Sequence, residues 1–220
     1  MIHLVDLPGG FTRARTVEEA LAKVRPEAGA YARWAGLELD LSGEIAVVQR
    51  AETQAQLADG DTEILLERDL ELNPAYLGWL MQLAARSAEA FQRLYDSVPD
   101  KDRVDTAKDR NTFYGKAPCT AAEVLSHVDR TAGYYLSRIG IDFSPAAGQL
   151  VENRRKSLDL IAHDCRALRN EVVCMDNECW TTAKALRRFI WHDRIHAKAL
   201  YRFAVRIWGA EKISDAFYFQ

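Results

Sequence analysis

Apolar residues recur at helical spacing in four long segments that follow residue 74. These segments cover residues 75–98, 120–139, 149–170 and 180–208. Apolar positions three and four apart share one side of a helix, so each segment predicts an amphipathic helix. The apolar positions of the last segment include Leu186, Phe189, Ile190, Phe203 and Ile207.

Boundary signals flank three of these segments. Asn73 and Pro74 favour helix entry, and Thr120 with Glu123 forms a capping box. Thr181 or Thr182 can cap the last helix, which we expect to end at Gly209. Four long helices joined by loops predict an all-α four-helix bundle over residues 73–213.

The first 71 residues have a different pattern, which predicts a small α+β module. Residues 2–5 form a short strand candidate, and Thr16 with Glu19 opens a helix that Pro26 is expected to kink. Apolar and polar residues alternate at 37–41 and in part of 44–50, which predicts strands there, and residues 62–68 predict another. The fold class is therefore an α+β N-terminal module followed by a four-helix bundle, with the boundary near Asn73.

The composition of the chain narrows the classes of molecule that it is expected to bind. The chain has 220 residues and a net charge of −3, so no basic excess points to nucleic acid or to an acidic membrane. No apolar run approaches the roughly 20 residues of a membrane span, and the first residues lack the pattern of a signal peptide. We expect a cytoplasmic protein, and in that compartment its four cysteines are expected to be reduced thiols. Cys174 and Cys179 lack the spacing of the usual zinc-site pairs, so we expect neither a zinc site nor a disulfide there.

Three histidines are the candidate metal ligands. His192 and His196 are four residues apart, which puts both imidazoles on one helix face. His127 lies seven residues after Thr120, and an antiparallel pairing of the second and fourth helices brings it to their level. Three imidazoles can bind a divalent metal and leave an open position for water or a thiolate.

Other interpretations stand beside this one. Five histidines in 220 residues produce a spacing of four in about one chain in ten by chance. His163, on the third helix, is predicted to be a partly exposed residue rather than a fourth ligand. The zincin motif H-E-x-x-H is matched except that Asp193 replaces Glu, and the shorter acid argues against a protease. Four arginines of the last helix are assigned to a solvated face: Arg187, Arg188, Arg194 and Arg202.

Residues 75–209 resemble the DinB/YfiT-like superfamily of metal-binding four-helix bundles. The resemblance rests on Thr-Ala-Ala-Glu-Val-Leu-Ser-His at 120–127, Trp-Thr-Thr-Ala-Lys-Ala-Leu at 180–186 and Ile-Trp-His-Asp-Arg-Ile-His at 190–196. It implies that His127, His192 and His196 bind a divalent ion, commonly zinc or nickel. It also implies a hydrolase or an S-transferase that uses a low-molecular-weight thiol as a second cofactor.

The first module resembles the HicB family of small antitoxin-like domains. Residues 6–12 read Asp-Leu-Pro-Gly-Gly-Phe-Thr, and residues 16–22 read Thr-Val-Glu-Glu-Ala-Leu-Ala. The family binds protein partners, often beside a DNA-binding segment, and no such segment follows here. This resemblance implies a fold for the module and no regulatory function.

Three hypotheses follow. The first is a metal-dependent enzyme acting on a small-molecule substrate, with its catalytic residues and its substrate undetermined. The alternative is a non-catalytic binding or regulatory protein, with the HicB-like module engaging a partner and the bundle serving as scaffold. The third is a structural homodimer that pairs through exposed helix faces.

Overall fold

The computed structural model describes residues 1–52, 64–108, 111–112, 115–176 and 178–220. The chain is mostly helical, with small two-stranded sheets. In the N-terminal part, strand β1 (Ile2–His3) pairs antiparallel with β2 (Phe11–Thr12). Helix α1 (Val17–Leu21) and helix α2 (Val24–Ala35) follow. Strand β1 lies within the strand predicted at 2–5, and α1 begins directly after Thr16, as predicted.

The predicted helix after Thr16 is divided into two. Thr16 caps α1 as predicted, because its side chain accepts a hydrogen bond from the N–H of Glu19. Pro26 then lies in the first turn of α2, where its missing N–H leaves no helical bond unmade. The proline therefore marks a new helix start rather than a kink within one helix.

The strands predicted at 37–41 and 44–50 are wrong. Residues 37–52 have no regular structure, and most of their side chains are exposed. Of the predicted strand at 62–68, residues 62 and 63 lie outside the described part, and the rest leads into a 3₁₀ turn at Glu67–Leu70. Alternation fails as a signal here because neither face of the segment is buried against a sheet.

Three of the four long helices agree closely with their predicted limits. The four helices are α3 (Pro74–Ser97), α4 (Ala121–Arg138), α5 (Leu150–His163) and α6 (Thr182–Trp208). Asn73, Thr120 and Thr181 cap α3, α4 and α6 through their side chains. Helix α5 ends seven residues before its predicted end. The Asp164 carboxylate accepts the N–H groups of Arg166 and Ala167, which starts a 3₁₀ turn at Ala167–Arg169.

Two predicted loops contain short hairpins. Strand β3 (Asn111–Thr112) pairs with β4 (Gly115–Lys116), and β5 (Val173–Met175) pairs with β6 (Glu178–Trp180). Cys174 and Cys179 face each other across the second hairpin and form a disulfide, while Cys119 and Cys165 are reduced. The prediction that all four cysteines are reduced is therefore wrong for this pair, which the turn brings together.

Each long helix packs against two others. Helix α3 contacts α5 and α6, and α4 contacts the same two helices. The N-terminal residues Leu7, Tyr31 and Trp34 belong to the same hydrophobic cluster as the apolar faces of these helices. Gly9 has a φ of +80°, and a β-carbon there would lie 2.7 Å from the backbone nitrogen of Trp191. The Leu-Pro-Gly-Gly turn thus packs directly on α6. The domain boundary near Asn73 stays a prediction.

Three of the four arginines assigned to a solvated face are buried. Arg187, Arg188 and Arg194 are each at most 4% exposed, and only Arg202 lies on the surface. Arg187 forms a two-pronged ion pair with Asp69, and Arg194 pairs with Glu27 at 2.7 Å. For Arg187 and Arg194 the prediction failed because their carboxylate partners lie more than a hundred residues away in the sequence.

Among the described residues, no helix has the length and apolar character required to cross a bilayer.

We expect Glu27→Gln to lower the free energy of unfolding by about 3 kcal/mol, because it leaves the buried Arg194 guanidinium without a countercharge. The same carboxylate also binds Lys198, at 2.8 Å. Urea unfolding at neutral pH measures the loss. The matched control is Glu152→Gln, which breaks the exposed pair with Arg155 and should change stability far less. Equal losses in the two variants would contradict a special role for the buried pair.

Candidate metal centre

Helices α4 and α6 bring the three predicted ligands together. One potential ligand nitrogen from each of His127, His192 and His196 lies within 4.8 Å of the other two. The Nε2 atoms of His127 and His192 are 3.1 Å apart, and the three ring centroids are separated by 4.3–5.0 Å. The fold thus brings His127 to two histidines that lie 65 and 69 positions further along the sequence.

Burial favours the uncharged imidazoles that bind metals. His192 is buried, and loss of hydration together with the neighbouring histidines holds its pKa well below the ordinary 6.5. His127 is partly buried, and loss of hydration followed by the nearby Arg130 also lowers its pKa. Neutral imidazole is the ligand form, so these two side chains are ready to bind a cation without first losing a proton.

A buried ion pair holds α6 in the orientation that this cluster requires. Asp193, next to His192, forms two hydrogen bonds of 2.9 and 3.0 Å with the Arg154 guanidinium of α5. The same carboxylate accepts a hydrogen bond from Ser87 of α3. Because Asp193 is tied to α3 and α5, the adjacent His192 is turned toward α4, where His127 lies.

The same ion pair bears on the zincin interpretation. Asp193 is completely buried, and burial raises the pKa of its carboxyl group. Its two oxygen atoms are occupied by Arg154 and Ser87 rather than facing the histidines. The residue therefore acts in packing, in agreement with the argument against a protease.

An aromatic wall surrounds the buried side of the cluster. The ring of Tyr135 lies 6.1 Å from that of His192 and packs on Trp180 and Phe189. The Arg188 guanidinium is 4.1 Å from the Trp191 ring centroid and donates a hydrogen bond to the Tyr135 hydroxyl. These neighbours give the site an apolar wall with one cation and one hydroxyl in it.

The donor set fits a divalent metal ion. Imidazole nitrogen is a common ligand for zinc and nickel, and three such ligands leave an open coordination position. The Nδ1 atom of His192 is buried and has no hydrogen-bond partner among the described residues. No described protein group therefore binds this ring nitrogen. Within the described ranges, no other group of three His, Cys, Asp or Glu side chains meets the same distance criterion.

No family model, curated protein or solved structure matches the chain. The DinB-like and HicB-like resemblances therefore rest on the sequence motifs alone and stay predictions.

His163 lies outside the cluster, as predicted. Its side chain is 78% exposed, and its Nδ1 atom is 2.8 Å from the backbone oxygen of Asp159.

Two residues that support the site, Arg154 and Ser87, were not predicted from the sequence. No neighbouring residue in the sequence marks either of them, since each lies on a helix with many other polar residues. Only the packing of α5 and α3 against α6 places them beside Asp193.

We expect the metal-free protein to lose stability as the pH falls below about 6.5. In this range the unfolded chain binds a proton at His192 and the folded chain does not, so protons favour the unfolded state. Above this range both forms are neutral and the dependence disappears. Urea unfolding with a chelator, at about pH 7.5 and about pH 5.5, measures the loss.

His192→Asn should make this loss smaller, whereas the exposed-site control His163→Asn should keep it unchanged. A loss of the same size in wild type and His192→Asn would contradict the assignment of the effect to the buried imidazole.

Proposed function

We propose that this protein is a metal-dependent enzyme of the DinB-like class, a hydrolase or a thiol-dependent S-transferase. His127, His192 and His196 would hold zinc or nickel. One observation carries the proposal, namely that three imidazole groups from two helices converge within 4.8 Å. Two of these groups have depressed pKa values, which favours metal binding at neutral pH.

The arrangement of the long helices supports the bundle part of the proposal. Each of α3 and α4 contacts both α5 and α6, which is the neighbour relationship expected of four helices around a common core. The ligands lie on α4 and α6, the second and fourth of these helices, as the DinB-like resemblance implies. We extend the proposal to the N-terminal residues as a HicB-like module packed on that bundle.

The side chains around the cluster suggest how a substrate would be held. When bound, the ion would act as a Lewis acid on a water or thiol in its open position, lowering the pKa of water towards about 7. Arg188 and the Tyr135 hydroxyl supply a positive charge and a hydrogen-bonding group on one side of the site. A small substrate with an anionic or carbonyl oxygen fits this combination, because both groups can stabilise negative charge on oxygen.

The second candidate is the non-catalytic binding or regulatory protein. It is favoured by exposed apolar side chains in residues 37–52, among them Val47 and Val48, which are 51% and 62% exposed. Such side chains can contact a protein partner. This candidate requires no metal-dependent turnover. The structural homodimer is the same kind of candidate, with a second copy of this chain as the partner.

We expect the purified protein, expressed without an affinity tag that binds metal, to contain about one equivalent of zinc or nickel. Alanine at His127, His192 or His196 should reduce this content to below about a tenth of an equivalent. Elemental analysis by mass spectrometry provides the measurement.

His163→Ala is the matched control, since it removes an exposed histidine and should leave the metal content unchanged. A wild-type protein without metal after purification and after dialysis against zinc or nickel would reject the metal centre.

We expect a chelator to abolish thioether formation from a low-molecular-weight thiol, or hydrolysis of an activated ester, and added metal to restore it. Product formation with and without thiol separates the transferase from the hydrolase. Metal binding without either activity, combined with capture of a defined protein partner by residues 37–52, would support the binding protein instead.

A further inference from the structure

The disulfide of the second hairpin lies outside the proposed metal centre. Cys174 is the middle residue of β5 and Cys179 the middle residue of β6, and the two are directly opposed in the antiparallel register. Neither belongs to the histidine cluster. The pair is therefore a second reactive element that the proposed function does not use.

Solvent reaches this pair. Cys174 is exposed and Cys179 is partly exposed; Met175, which follows Cys174, is 41% exposed, and Val172, just before β5, is 49% exposed. Exchange requires that an external thiolate approach one of the sulfur atoms along an open path. A small thiol can approach the hairpin without prior unfolding of the protein, because the hairpin lies on the surface.

The hairpin has contacts that do not depend on the disulfide. Arg138 of α4 pairs with Asp176 at 2.9 Å, and the Tyr134 hydroxyl donates to Glu178 at 2.6 Å. Trp180, at the end of β6, is completely buried and donates its indole N–H to Glu178. These contacts hold the turn and β6, and the antiparallel pairing of β5 with β6 keeps Cys174 opposite Cys179 when the sulfur–sulfur bond is open. The two thiols can therefore close again.

A buried cation lies next to Cys179. The ammonium group of Lys184 donates a hydrogen bond of 2.6 Å to the backbone oxygen of Cys179. A nearby positive charge stabilises a cysteine thiolate, which makes that cysteine the better leaving group in exchange. The acidic neighbours Asp176 and Glu178 have their charge offset by Arg138.

We propose that Cys174 and Cys179 form a redox-active pair that exchanges reversibly with low-molecular-weight thiols. A thiolate of the small molecule attacks Cys174, forms a mixed disulfide and displaces the Cys179 thiolate, which takes up a proton. A second thiolate attacks the sulfur of the bound small molecule and releases Cys174. Two small thiols are oxidised to one disulfide, and the protein disulfide is reduced to two thiols.

The experiment uses the full-length protein in glutathione buffers that range from mostly reduced to mostly oxidised. After acid quenching, free thiols are alkylated, and mass spectrometry counts the labels on the peptide that contains both cysteines. We expect two labels in the reducing buffer, none in the oxidising buffer, and full return when the buffer is exchanged. Far-UV circular dichroism should stay unchanged.

Variants separate this proposal from the metal centre. Cys165→Ser removes the exposed free thiol and should leave the response intact, while Cys174→Ser should abolish reclosure. His192→Ala should lose metal and keep the redox response, so each proposal can fail alone. A pair that opens only in denaturant, or that stays open in the oxidising buffer, would overturn the inference.

Discussion

Burying a charged group costs free energy unless an opposite charge or hydrogen bonds compensate it, and three buried ion pairs that meet this constraint organise the longest helix. Along α6, Arg187 binds Asp69, Asp193 binds Arg154, and Arg194 binds Glu27, all with little or no exposure to solvent. The partners come from a 3₁₀ turn, from α5 and from α2. A rotation of α6 about its axis would separate all three pairs at once and leave uncompensated charges inside the protein. The ion pairs therefore determine which face of α6 meets each neighbour.

The histidine cluster depends on that orientation. Residues 193 and 194 face α5 and α2 through their ion pairs, and His192 and His196 consequently face α4 and His127. The same burial that requires the ion pairs removes water from His192 and keeps its imidazole neutral. Packing, helix orientation and ligand chemistry thus have one physical origin. The Leu-Pro-Gly-Gly turn adds to it, because Gly9 allows the backbone to approach α6 beside Trp191.

Particular residues show how far sequence reasoning reached. The N-terminal ends of α3, α4 and α6 follow from Asn73, Thr120 and Thr181, because capping is a local interaction between a side chain and the next turn. The spacing of His192 and His196 also predicts a shared face. By contrast, the strands at 37–41 and 44–50 were wrong, since alternation describes a strand only where a partner sheet covers one face. The Cys174–Cys179 bond was missed because it depends on a hairpin turn.

The sequence by itself determined the helical character of the second part, the position of most helix ends and the identity of three candidate ligands. The helical character and the helix ends depend on residues within a few turns of one another, and the three ligands were named from the spacing of His192 and His196 and from the DinB-like resemblance. Only the tertiary structure decided that Arg187 and Arg194 are buried rather than solvated, that Asp193 belongs to an ion pair, and that His127 joins the other two histidines. These outcomes depend on partners from distant parts of the chain. The residue pattern of one helix does not predict which charged side chain of another element will lie opposite it.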